Sequence, residues 1–182
     1  MLPERKSIRL REYDYASAGA YFVTICTKAH AYSLGSVIND RVGLNPYGHI
    51  VAECWRWLDH HYPTVTLDEW VIMPNYLHGI VVLTNDHVHD RLPQAASRTP
   101  DSAPCSGVVV KKKPLGQIVG SFKARSARMI NHMRRSGDGS IWHRNYYEHI
   151  IRDEYELCEI RQYIQANPIE WSLRRDPYNL CK

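Results

Sequence analysis

The sequence is poor in phenylalanine and methionine, with two and four residues, and it has no CxxC pair. Its five cysteines, Cys26, Cys54, Cys105, Cys158 and Cys181, are odd in number and widely spaced, which argues against a disulfide framework and a thiolate zinc site. No apolar run approaches the roughly 18 residues of a membrane span, and the N-terminal MLPERKSIRLREYDY lacks the apolar core of a signal peptide. Both absences point to a cytoplasmic protein with no membrane partner. No internal repeat is visible. No carboxylate cluster stands in any motif, so an unrelated metal-dependent phosphohydrolase finds no support.

What is present suits a single domain. A chain of 182 residues, 44% of them hydrophobic, can bury an ordinary core. Twelve tyrosines and five tryptophans supply rings with a polar tip, suited to half-wet rims and to stacking on bases. A net charge of +4 permits nucleic-acid binding, for which local clustering decides. Residues 1–19 form a basic arm with Lys6, Arg9 and Arg11, either solvated or in contact with phosphates.

Along the chain, AYFVTICT (20–27) reads as a buried strand. A helix follows from Asn45, a natural N-cap before Pro46, to His61, where Pro63 ends it. EWVIM (69–73) and HGIVVL (78–83), parted by Pro74-Asn75, read as an antiparallel hairpin. The polar stretch from about 85 to 114 reads as a long mobile loop, closed by Lys111, Lys112 and Lys113. A second helix spans Leu115 to about Arg135, with Leu115, Ile118, Val119, Phe122, Met129, Ile130 and Met133 as its buried stripe. WHRNYYEHIIR (142–152) reads as a strand. A last helix starts at Asp153, with capping-box-like spacing to Glu156, and stops at Pro168. The pattern is α+β, a sheet with helices on one face.

Two spacings bear on chemistry. On a strand Tyr76 and His78 project the same way. On the last helix Tyr163 and Asn167 lie one turn apart on one face, beside the apolar stripe of Leu157, Ile160 and Ile164. On residues alone, an amphipathic helix with a rim tyrosine is the simpler explanation of the second pattern.

From near the start to about Trp171, the ordered segments SIRLREYDY, GAYFVTICT, LNPYGHIV, LDEWVIMPN-x-x-HGIVVL, IVGSFKARSARMIN, IWHRNYYEHIIRDE and IRQYIQANPIEW resemble the REP-associated tyrosine transposases, within the HUH single-tyrosine group. The resemblance implies an IS200-like transposase domain over 20–171, a C-terminal tail over 172–182 and a ferredoxin-like antiparallel sheet with helices packed on it. It implies a DNA nicking and strand-transfer enzyme acting on single-stranded or hairpin DNA, as monomer or homodimer, through a 5′-phosphotyrosine. Carried onto this chain, Tyr163 is the nucleophile, and His78 and Asn167 hold a divalent metal, Mg²⁺ or Mn²⁺. His149 is a possible neighbour of the site or a structural histidine.

The departure is Tyr76, where that group has the first metal histidine. A neutral imidazole offers a lone pair at pH 7, whereas a phenol with a pKa of about 10 must lose its proton to bind well. The substitution predicts weak metal binding and impaired cleavage, leaving a DNA-hairpin-binding protein of the same fold as the alternative reading. Lys111, Lys112, Lys113, Lys123, Arg125 and Arg128 are the natural backbone contacts, or else a solvated basic face. His87-Val88-His89 also spells His-x-His, but in the polar loop without a following apolar strand, and reads as solvated. His60-His61 suits the negative end of a helix.

Overall fold

The computed structural model describes residues 14–85, 113–135 and 139–173. Lys6, Arg9 and Arg11 of the arm, the stretch 86–112 with His87, His89, Lys111 and Lys112, and residues 174–182 of the tail lie outside the described residues. The elements run β1 (Gly19–Cys26), β2 (Gly35–Ile38), β3 (Arg41–Leu44), α1 (Pro46–His61), β4 (Val65–Ile72), β5 (Tyr76–Leu83), α2 (Leu115–Arg134), β6 (Tyr147–Ile151) and α3 (Glu154–Leu173).

Strand β1 is paired on both sides, with β5 and with β6, in a fully antiparallel sheet ordered β4-β5-β1-β6. With the β2–β3 hairpin set aside, the order β-α-β-β-α-β is the ferredoxin-like α+β arrangement. Strand alternation divides β1 between two faces. Tyr21, Val23 and Ile25 join Trp55 and Leu58 of α1 and Ile118 and Phe122 of α2 in the larger core. Phe22 turns the other way, to Ile80, Ile151 and Ile164 beneath α3. The first two helices therefore share one face, and among the described residues α3, with the β2–β3 hairpin beside it, covers the other.

Local chemistry accounts for the boundaries. Asn45 Oδ1 accepts from the backbone N–H groups of Tyr47 and Gly48, both at 3.0 Å, and Pro46 opens α1. Helix α2 ends at Arg135, which caps it in the left-handed region at φ 52°. Its buried stripe holds at Leu115, Ile118, Val119, Phe122 and Ile130, with Ser126 among them because its hydroxyl accepts from the Trp142 indole at 2.9 Å. Met133 is 50% exposed and is no part of that stripe, since the core ends one turn earlier. In α3, Asp153 Oδ1 accepts from Glu156 N–H at 2.8 Å, as its spacing predicts.

One element is not anticipated by the sequence reading, and two expectations need correction. The β2–β3 hairpin turns through Asn39 and Asp40, both left-handed (φ 50° and 59°), a tight turn the hydrophobic pattern does not announce. The strand expected over 142–152 is ordered as one only over Tyr147–Ile151, with Trp142 in an isolated bridge to Thr27. Helix α3 does not stop at Pro168 but continues to Leu173. An interior proline costs about 3 kcal/mol. Trp171 offsets that cost by packing its ring 5.7 Å from both Tyr76 and Tyr32.

Candidate active site

Strand β5 carries Tyr76 and His78 onto the face covered by α3, where both are buried, at 2% and 3% exposure. The intervening Leu77 and the following Gly79 face α1. Gly79 is required there, since a Cβ would stand 2.6 Å from Cζ2 of the fully buried Trp55. The His78 imidazole is held at both nitrogens. Thr24 Oγ1, on the neighbouring strand in direct register, lies 2.8 Å from Nδ1. Tyr163 Oη lies 3.4 Å from Nε2. Phe22 packs beside both rings, 5.2 Å from His78 and 6.2 Å from Tyr163.

The position of Tyr163 follows from how α3 is moored. Strand β4 is irregular between Leu67 and Trp70, and this places Asp68 and Glu69 against α3. Arg161 grips Asp68 through two parallel bonds, Nε at 2.9 Å and a terminal nitrogen at 2.5 Å, and Gln165 donates to Glu69 at 3.0 Å. The bond from Arg161 is the main reason the Asp68 carboxyl is held below its ordinary value. Tyr163 lies between these two anchors, half-buried on the sheet side.

One turn later Asn167 is buried at 2% exposure, and its Oδ1 accepts from the Tyr76 phenol at 2.7 Å. This contact bears on the metal that the resemblance implies. Mg²⁺ and Mn²⁺ favour hard oxygen donors in open coordination sites. Here the amide oxygen is taken by a phenol O–H, His78 Nδ1 is engaged by Thr24, and no carboxylate is joined to the set. Among the described residues, no group of three or more His, Cys, Asp and Glu side chains is arranged to hold a metal ion. The side chains present do not fit a tightly held divalent cation.

Tyr163, His78, Asn167 and Tyr76 thus come together. His149 faces the same side of the sheet, but its Nε2 lies 2.6 Å from Glu156 Oε1 in the first turn of α3. It closes the β6–α3 junction, two turns before Tyr163 (about 10 Å along the helix). Among the described residues, Lys113, Lys123, Arg125 and Arg128 are not gathered at Tyr163 either. Lys123 donates to the carbonyls of His143, Arg144 and Asn145 at 3.0, 3.5 and 2.9 Å, so its ammonium anchors that loop. Burial lowers its pKa to about 8. Arg125 lies 4.7 Å over the Trp57 ring, and both it and the exposed Arg128 are on α2, across the sheet from Tyr163. Lys113 is exposed just before α2.

Thr24, Phe22 and Trp171 are site residues that the sequence does not single out. The first two read as strand formers. Their signal is the register with His78, visible only once β1 and β5 are paired. No helix among the described residues is long and apolar enough to cross a membrane.

The chain thus combines a ferredoxin-like sheet, a histidine on a central strand and a tyrosine on the C-terminal helix above it. Comparisons with known proteins show what it is similar to. An uncharacterized protein of Haemophilus influenzae is 40% identical over 167 residues, spanning 92% of this chain and 89% of its own. A candidate REP-associated tyrosine transposase of the same organism is 24% identical over 159 residues, 86% of this chain and 74% of its own. A solved structure of a REP-associated tyrosine transposase bound to a REP hairpin superposes with a TM-score of 0.58 at 17% identity, covering 93% of this chain and 77% of that one. No family model matches. The chain is thus similar in sequence to a candidate REP-associated tyrosine transposase and shares its fold with a solved one.

Proposed function

We propose that this chain is a cytoplasmic protein that binds single-stranded, hairpin-forming DNA of the REP type, and that it keeps Tyr163 as the nucleophile of a cleavage and rejoining reaction which Tyr76 holds at a low rate. Hairpin binding is supported by the sequence similarity to a candidate REP-associated tyrosine transposase and by the fold shared with one whose structure contains a REP hairpin. Impairment is supported by one observation, the Tyr76 phenol bonded to Asn167 Oδ1 at 2.7 Å.

In the reaction, Tyr163 Oη would form a bond to phosphorus as the bond from phosphorus to the 3′ oxygen breaks. The phenol loses a proton and the departing 3′ oxygen gains one, leaving a 5′-phosphotyrosine and a free 3′-hydroxyl. That hydroxyl can reverse the exchange, so no nucleotide cofactor is needed. His78 Nε2 faces the Tyr163 hydroxyl and orients it, and Thr24 fixes the imidazole through Nδ1. A divalent cation would polarise the phosphate, but the side chains around Asn167 do not favour it, and binding without efficient cleavage follows.

The test is fluorescence anisotropy with hairpin oligonucleotides carrying single-stranded flanks, across a salt series. Affinity should survive Tyr163→Phe and fall with salt, at a logarithmic slope of about −0.7 per phosphate contact on single strands. Salt-independent binding, or none to any single-stranded or hairpin oligonucleotide, would remove DNA from the account.

A further inference from the structure

The same face of the sheet carries an exposed ring outside the catalytic group. Tyr147 opens β6, and its register partner on β1 is Thr24, which is also the partner of His78 on β5. Tyr147, Thr24 and His78 therefore form one row across three strands, with Tyr147 and His78 about 10 Å apart at the usual strand spacing. Phe22 joins the rings: it meets Tyr147 edge-on at 6.4 Å, and His78 and Tyr163 on its other sides. Yet Tyr147 is 51% exposed, whereas Phe22 and His78 are 9% and 3%. The reason is where α3 begins. Its first turn meets the sheet at His149, through Glu156, one position further along the same face of β6, so the helix leaves Tyr147 uncovered.

We propose that Tyr147 is the stacking platform for an unpaired base of the DNA strand that enters the Tyr163 site. This rests on the hairpin-DNA reading above and names the side chain that would hold the unpaired flank. A ring anchored along one edge and open to solvent offers a π-face that any base can cover, without reading its hydrogen-bonding edge. A base paired within a duplex stem is stacked on its neighbours and cannot use that face, so the bound hairpin must carry a single-stranded flank beside the reacting phosphate.

The test places 2-aminopurine at each flank position of a hairpin oligonucleotide and follows fluorescence and affinity with the full chain. One flank position should be quenched on binding. Tyr147→Ala should abolish that quenching and weaken binding by about 5- to 150-fold, the range for loss of one base–aromatic stack. Tyr147→Phe should retain both signals. Tyr155→Ala, which removes a 74% exposed tyrosine from the first turn of α3, should change neither. With an abasic nucleotide at the quenched position, Tyr147→Ala should make no further difference. Unchanged affinity in Tyr147→Ala, or an equal loss on the intact and abasic oligonucleotides, would overturn the assignment while leaving hairpin binding intact. Failure of the unaltered chain to bind any hairpin would instead overturn the parent reading.

Discussion

Tyr76 and Asn167 stand 91 residues apart in sequence and 2.7 Å apart at their side-chain oxygens, both buried. The bond ties the start of β5 to the fourth turn of α3, and Trp171 packs against the Tyr76 ring one turn further on. A buried amide oxygen that loses its donor costs about 1–3 kcal/mol. Tyr76→Phe keeps the ring and removes the donor, so it should destabilise the fold by about that amount, read as a lower urea midpoint at unchanged slope.

The mooring of α3 on β4 predicts an acid-side effect. Arg161 holds the Asp68 carboxyl below its ordinary value of 3.8. A carboxyl depressed in the folded state contributes stability that is complete above its unfolded value and is lost as pH falls through the folded one. Denaturation midpoints measured from pH 5 downward should therefore fall more steeply below pH 3.8 in the unaltered chain than in Asp68→Asn. Parallel curves for the two proteins would show that the pair does not couple α3 to the sheet.

Several of these features are legible in sequence because they depend on local rules. Asn45-Pro46 announces the start of α1, and period-two spacing places Tyr76 and His78 on one face. Helical spacing likewise puts Tyr163 and Asn167 together. What escapes notice depends on contacts between distant segments. The rule that proline ends a helix fails at Pro168 because Trp171 finds partners on β5 and in the loop before β2. The reach of Lys123 to three carbonyls of a loop some twenty residues on is likewise invisible until the chain is folded. The Asn39-Asp40 turn was open to recognition, but its flanking strands are only four residues each and alternate weakly.

Lys123 also predicts an alkaline-side effect. Burial lowers its pKa from 10.5 to about 8, so between those values the unfolded chain holds this proton and the folded chain does not. Stability rises with pH wherever the unfolded state binds more protons. The unaltered chain should accordingly gain stability relative to Lys123→Met as pH is raised from about 8 to 10.5. A constant difference across that window would mean the amine keeps its ordinary affinity for the proton.

The close approach of Trp55 to β5 predicts a packing defect. In Gly79→Ala the new methyl would stand 2.6 Å from Trp55 Cζ2 and 3.2 Å from Trp70 Cβ. Overpacking of this kind costs about 1–3 kcal/mol. The smaller ring of Trp55→Phe should make the alanine less costly, so the double variant should be more stable than the sum of the two single losses implies.

The central claim is that Tyr76 restrains an otherwise intact tyrosine site. The most direct measurement incubates the unaltered chain, Tyr76→His and Tyr76→His/Tyr163→Phe with flanked hairpin oligonucleotides and Mn²⁺, and follows the covalent protein–DNA band with time. Metal-ligand and Lewis-acid contributions are worth several kcal/mol, so Tyr76→His should form the adduct faster by on the order of a hundredfold or more. The double variant should form none, because it lacks the nucleophile. Rapid adduct formation by the unaltered chain, with no gain in Tyr76→His, would contradict the account and show that the Tyr76–Asn167 bond does not restrain the site.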